Sequence, residues 1–592
     1  MEGRHGHQSS QDLAERDPIR CWLPPMGCVR HGATAESLTE ETIEAQDQAR
    51  PQAPDSGYRT WAGILAVLLS AAVLWQAWLK FYSYQDDAFI FFRYAENALN
   101  GAGLVFNPGE RVEGFSSPLW LLVLVLAGAA GLSPLHAAGI FGTLATVAVV
   151  LLSIRDARRC GPPGPVSLLA PLGLVLFFPF VAWSVSGMET SLFTALVWGA
   201  LSGHRIARAE ARRPGREVGW CLAGALLTRP EAVLLAIALL ADEVAAARST
   251  VSAPPGKRAA LVGWAVRLSW LLPAVLAGAA LLAARLLYYG ALLPNTFYAK
   301  LGGDAAHAGL GLRYLGGFVI AAPLIAPAAL LLVPRFGRRV PGGVAALVLV
   351  VLWSCNLVWL GGDHFPYHRF LVPLAPLLFA LGATGLHETW SRLAPHIEPG
   401  RRSVLGACLL LACLALVARA APDPAPGRPQ HGFDWTLASA RLGQRLATTV
   451  PPPTLVALPH IGAVGYYSRL PVLDLLGLVD RDLARRPRNR TDGPLRGFNE
   501  IGHECFDIAW SLARQPAVIV PSRTYGSRPF TSLSELRPDF PAEAQLFEVL
   551  GRRSDYRLIN VPIGDGAMWA LFVRRDLDDR QLTAPGPAPV PR

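Results

Sequence analysis

FYSYQDDAFIFFRYAENALNGAGLVFNPGERVEGFSSPLW, residues 81–120, follows directly on an apolar run of about twenty residues that starts near Trp61. A run of that length crosses a bilayer, so this stretch begins where the chain leaves the membrane, and it begins on two adjacent carboxylates, Asp86 and Asp87. A carboxylate pair at a membrane margin has two readings. It is solvated and caps a helix, or it sits in low dielectric, where mutual repulsion splits the two pKa values. In the second case one acid serves as a general base and the other holds an acceptor or a cation.

Outward from this stretch the chain keeps alternating between long apolar blocks and short polar ones. Of its 592 residues 52% are hydrophobic and only 17% charged, which predicts a polytopic α-helical membrane protein. Residues 1–58 are polar and aperiodic and read as a disordered cytoplasmic tail. They hold no hydrophobic segment or cleavage site ahead of Trp61, so the first apolar run is expected to stay as a membrane helix. The eight cysteines share no metal-ligand spacing with histidine, which argues against a disulfide framework and a zinc site.

The formal charge of +10 does not point to nucleic acid, because the basic residues fall in short clusters between apolar runs. Clusters in the tail, at Arg155–Arg159, Arg205–Arg216, Lys257–Arg258, Arg335–Arg339 and Arg392–Arg402 are then cytoplasmic. The loops between them lie outside: 81–117, SGMET (186–190), TRPE (228–231), YYGALLPNTFYAK (288–300) and GGDHFPYHRF (361–370). This bookkeeping gives about eleven net crossings with the N-terminus inside and the C-terminus outside. It needs one of 118–132 and 137–154 to be re-entrant or interfacial, and a break at 228–231 that makes 218–241 two short passes. Beyond residue 421 the apolar runs shorten to strand length, as in TLVAL (454–458) and AVIVP (517–521). The expected organisation is a tail (1–58), a membrane domain (59–420) with its first external loop at 81–117, and a soluble extracytoplasmic α/β domain (421–592). Gly462 and Gly465 in that domain do not make a dinucleotide fingerprint.

Several polar residues stand out against this background. Arg229, beside a helix break, is expensive unless it meets Glu231 or an anion such as a lipid phosphate. Lys300 is one of three lysines among 54 basic residues, a hint of specific use. Asp363, His364, His368 and Arg369 crowd one loop; they could hold a metal, lacking a clear third ligand, or serve hydrogen bonding and phosphate binding. Glu189 in SGMET reads as a helix-entry carboxylate or an acceptor contact. Tyr84 and the nearby phenylalanines form an interfacial aromatic belt or part of a stacking wall for sugar rings.

The ordered succession QDDAFIFFRYAENALNGAGLVFNPGERVEGFSSPLW, SGMETSLF, LLTRPEAVLL, RLLYYGALLPNTFYAKL and LGGDHFPYHRFLVPLAP resembles the GT-C multipass glycosyltransferases over roughly residues 60–390. Within them it is most similar to the actinobacterial terminal arabinofuranosyltransferase group, and GYYSRLPVLDLLGLVDRDLAR resembles the extracytoplasmic domain of such proteins. The HFPYH filler between Asp363 and Arg369 departs from the arabinosyl pattern. The resemblance implies transfer of a sugar from a polyprenyl-phosphate donor on the outer leaflet to a cell-envelope glycan or glycolipid. Asp86 matches the essential acid, with Asp87 as its partner. Arg229, Lys300, His364 and Arg369 would bind the donor phosphate; Glu189, Glu231, Asp363, His368 and Tyr84 would contact sugar or acceptor. No cofactor is required, and a divalent cation stays open. The rival readings are a transporter or flippase of lipid-linked sugars and a non-catalytic glycan-binding member.

Overall fold

Runs of twenty apolar residues fold as helices because a chain in lipid must satisfy its own backbone hydrogen bonds. The computed structural model describes residues 56–80, 84–250, 257–300, 305–322, 329–330, 332–333, 340–363, 365, 367–419, 433–486 and 504–584. The tail at 1–55, His364 and the basic cluster at 335–339 lie outside the described residues. Five described helices are long and apolar enough to cross a membrane: Thr60–Leu79, Pro134–Cys160, Gly263–Tyr289, Gly343–Leu360 and Arg369–His396. A sixth is added if Pro165–Leu176 and Phe178–Val185, bent by 56° at their junction, count as one broken span. The chain is therefore a polytopic helical membrane protein.

The weaker segments also have a physical reading. Pro118–Ala129 and Arg216–Thr228 have only 12 and 13 residues, about 18–20 Å of helix against a hydrocarbon core of roughly 30 Å. The second ends where the sequence predicts a break: Arg229 is extended (φ −150°, ψ 142°) and the next helix starts at Ala232. The basic cluster at 205–216 also holds helices together. Arg205 pairs with Asp156, while Arg208 reaches Asp242 and Glu243, tying the helix Thr190–Ala209 to Pro134–Cys160 and Ala232–Thr250.

Beyond the membrane helices the chain builds a six-stranded mixed sheet in the order β2-β1-β3-β6-β4, with β5 on β6. Its strands are β1 (Val456–Leu458), β2 (Val472–Asp474), β3 (Val518–Ile519), β4 (Tyr525–Gly526), β5 (Tyr556–Gly564) and β6 (Ala567–Arg574). β1 lies parallel to both β2 and β3, in register at Val456↔Val472 and Val456↔Val518. The crossover from β1 to β2 is the short helix Ala463–Ser468. β5 and β6 form a hairpin whose turn, Asp565-Gly566, has positive φ at both positions, the twist-matched geometry for which Asp-Gly is suited. Residues Tyr58–Arg592 form one compact unit. One continuous apolar core runs from Phe89 and Phe92 through Val464 and Tyr466 to Val518; a second, around Ile519, Phe540 and Phe572, lies within the sheet region.

Candidate active site

The segment Ser186–Thr190 is the hub that brings the sequence motifs together. The Gln85 amide donates to the Ser186 carbonyl (2.9 Å), and the Trp120 indole N–H donates to the Gly187 carbonyl (3.1 Å). Arg369 Nη1 touches Met188 Sδ at 3.6 Å, and Arg229 Nη1 donates to Glu189 Oε1 at 2.7 Å. Three of the other quoted motifs therefore converge on these five residues.

The acid pair lies on one side of this hub, in the first turn of the helix Asp86–Leu99. Asp86 is 6% exposed; its Oδ1 accepts the Ala463 amide (2.7 Å) and its Oδ2 the Gly462 amide (3.1 Å). Burial pushes its pKa up to about 7, with the neighbouring Asp87 charge adding to the rise and the two amides opposing it. Asp87 is half-buried, and its carboxylate makes no hydrogen bond or ion pair among the described residues. Tyr84 is buried, donates its hydroxyl to the Leu135 carbonyl (2.6 Å), and meets Phe89 and Phe92 edge-on. It is a packing element in this conformation and offers no open face for stacking.

Arg229 and Arg369, which meet the hub, line a small open cleft together with Thr190, Phe193, Glu231, Trp353, Asn356 and Phe370. Arg229 is shared between Glu189 and both oxygens of Glu231 (3.3 and 2.9 Å), and Arg369 makes a fork with Asp363 (2.8 and 3.1 Å). Both guanidiniums also sit over the Phe370 ring, at 4.9 and 4.7 Å. Three carboxylates against two arginines leave this cluster with a formal charge of −1, so it is not a bare cationic phosphate pocket. The Glu189 Oε2 atom is buried without a hydrogen-bond partner. The arrangement instead presents aromatic faces, the Asn356 amide, and carboxylates and guanidiniums held by one another.

The remaining sequence candidates sit apart from these contacts. Lys300 ends the short helix Asn295–Ala299, half-buried, and its ammonium makes no ion pair among the described residues. His368 is left-handed (φ 49°) and packed between Tyr314 and Phe318, with Nδ1 buried and unbonded. His364 lies outside the described residues, and the described residues hold no group of three or more His, Cys, Asp or Glu able to bind a metal.

The fold adds residues that sequence reasoning did not single out. Glu113 takes a fork from Arg285 (2.9–3.0 Å), with both side chains largely buried. Arg93, on the acid-pair helix, donates to the Phe106, Gly465 and Leu470 carbonyls (2.8, 2.5 and 2.8 Å). Asn295 donates to the Gly477, Leu478 and Asp480 carbonyls (2.8, 3.1 and 3.1 Å). The available signal was their position inside quoted motifs; apart from Phe106, 13 residues from Arg93, their partners are 172 to 377 residues away.

Comparison with known proteins adds to this geometry. The chain is 28% identical over 382 residues to a terminal β-(1→2)-arabinofuranosyltransferase of Corynebacterium glutamicum, covering 58% of this chain and 54% of that protein. The protein of the same name from Mycobacterium tuberculosis is 28% identical over 372 residues, covering 54% and 55%. This chain is similar to terminal arabinofuranosyltransferases. It spans about half the length of these curated relatives. Residues 431–574 match a domain of unknown function, DUF8728, which includes Gly462 and Ala463. Among solved structures, ArnT from Cupriavidus metallidurans in the apo state aligns with a TM-score of 0.48 at 13% identity, over 86% of this chain and 98% of that one.

Proposed function

We propose that this chain is a GT-C-type glycosyltransferase that moves a sugar, an arabinofuranosyl unit being the leading candidate, from a polyprenyl-phosphate donor to a cell-envelope glycan or glycolipid. The observation that carries the reading is the asymmetry of the acid pair: one carboxylate is anchored and its neighbour is half-buried and, among the described residues, without a partner, beside the hub. The acceptor hydroxyl, with a pKa far above neutrality, gives its proton to a first-loop carboxylate as its oxygen attacks the anomeric carbon. The bond from that carbon to the phosphate oxygen breaks, and the lipid phosphate leaves with the electron pair. Asp87 is our choice for the base, because its lone pairs are uncommitted. The carboxylates of the cleft would meet positive charge developing at the anomeric carbon. Arg229 and Arg369, tethered by their carboxylates, keep further N–H groups for the departing phosphate, and Lys300, whose ammonium makes no ion pair among the described residues, would add a further cation.

The orientation that accompanies this reading has the N-terminus in the cytoplasm and residues 421–592 outside. The deciding experiment is transfer of labelled sugar from synthetic polyprenyl-phosphate donors to cell-envelope glycans by the purified protein in detergent. Wild-type turnover, lowered by about 100-fold or more in Asp87→Asn with donor binding retained, is the expected result. Donor binding without turnover on every acceptor would shift the reading to transport of lipid-linked sugars.

A further inference from the structure

We infer that the 431–574 domain, which matches a domain family of unknown function, is a working part of the transfer site: its Gly462–Ala463 turn fixes Asp86 as a positioning residue that sets the place of Asp87. The inference rests on the transferase reading above and adds to it a role for the domain and different roles for the two acids.

Three observations carry it. First, Asp86 spends both carboxylate oxygens on consecutive backbone amides of the domain, and the fit tolerates no side chain at residue 462: a Cβ there would lie 2.5 Å from Asp86 Oδ2. Only glycine allows this approach. Second, the domain grips the same helix at successive turns. Arg93 donates to the Gly465 and Leu470 carbonyls, and the Tyr466 hydroxyl bonds Glu96 Oε1 at 2.5 Å. Positions 86, 93 and 96 are seven and ten residues apart and so lie on one face, whereas residue 87 is turned by about 100° and escapes it. Third, the turn at 459–463 follows β1 at its carboxyl end, where β1 has parallel neighbours β2 and β3 on opposite sides. Open α/β sheets place their ligands at such a reversal of strand order. Here the carboxylate of Asp86 occupies that edge. Asn107 reinforces the junction by exchanging hydrogen bonds with the Val472 amide (3.0 Å) and carbonyl (2.8 Å).

The test compares Asp86→Asn, Asp86→Ala, Gly462→Ala and Asp87→Asn in the full-length protein, each at matched monodispersity and unfolding midpoint. If Asp86 positions, Asp86→Asn keeps one acceptor oxygen and loses about 10-fold in kcat, Asp86→Ala loses more, and donor KM stays within about 2-fold in both. Gly462→Ala reproduces the Asp86→Asn loss, and the Asp86→Ala/Gly462→Ala double variant is no slower than Asp86→Ala, because both changes break one contact. Asp87→Asn remains the most damaged. Hydrogen exchange at the Gly462 and Ala463 amides is expected to speed up in Asp86→Ala. An Asp86→Asn as inactive as Asp86→Ala, together with a Gly462→Ala at wild-type rate, would make Asp86 the base and overturn the inference while leaving the transferase reading intact. A wild type that turns over no donor would remove the transferase reading and this inference with it.

Discussion

A carboxylate withdrawn from water prefers its neutral form unless its hydrogen bonds outweigh the lost hydration, and at Asp86 they do not. Its ordinary value of 3.8 is pushed up to about 7 by burial, against the pull of the two amides. Between those values the folded protein holds a proton that the unfolded chain releases. Stability contributed by this group is therefore complete below about pH 4 and lost as pH rises through about 7. The unfolding midpoint of the wild type is expected to fall more between about pH 5 and about pH 8 than that of Asp86→Asn, which cannot titrate there. Equal slopes in the two proteins would show that Asp86 is ionised throughout. The same residue scale explains why sequence alone could not divide the roles of the pair: adjacent aspartates look equivalent until one is seen to face two amides 376 and 377 residues away.

At the scale of elements, the segment between the helices Asp86–Leu99 and Pro118–Ala129 is held to the helix Leu272–Tyr289 by the fork between Glu113 and Arg285. Removing one charge of a buried pair strands the other, at a cost of about 3–5 kcal/mol. Glu113→Gln is expected to lower the unfolding midpoint clearly, and Glu113→Leu/Arg285→Leu to lower it less, because the double change leaves no orphaned charge. A double variant worse than the single would mean that the pair does more than satisfy itself. The elements whose boundaries were legible are those set by local chemistry. The break at 228–231 follows from Pro230 beside charged neighbours, and the long helix Gly343–Leu360 ends at Gly361, whose φ of 83° suits glycine. The short helices Pro118–Ala129 and Arg216–Thr228 were legible as apolar runs, but their lengths alone do not say how deeply each enters the bilayer.

At the scale of the whole molecule, the proposed orientation makes a direct demand. A cysteine placed at Arg528, in the sheet domain and followed by the exposed residue 529, is expected to react with a membrane-impermeant maleimide in intact cells. Labelling only after permeabilisation would invert the topology and remove the outer-face reading. Asn295 is the matching test of assembly. Its amide feeds three carbonyls of the 477–480 loop, so Asn295→Ala is expected to cost about 1–3 kcal/mol and to loosen that loop first, seen as faster hydrogen exchange there. Unchanged exchange at 477–480 would mean that the loop is held by other contacts.

What the sequence by itself determined is whatever depends on composition and short-range pattern. Twenty-residue apolar runs become helices because lipid offers the backbone no other partner, and polar and charged islands between them mark the candidate loops, so the acid pair, TRPE and the GGD loop could all be named in advance. What only the tertiary structure decided is how those islands neutralise one another. Arg229, read as meeting Glu231 or a lipid phosphate, meets Glu231 and also the distant Glu189, Arg369 is held by Asp363, and Tyr84, read as part of an aromatic belt or of a stacking wall, is enclosed. The docking of the sheet domain on the first loop was equally invisible, since it rests on backbone carbonyls and amides that every sequence carries. Charge is visible in a sequence, but the partner that cancels it is chosen by distance, and distance is set only when the chain has folded.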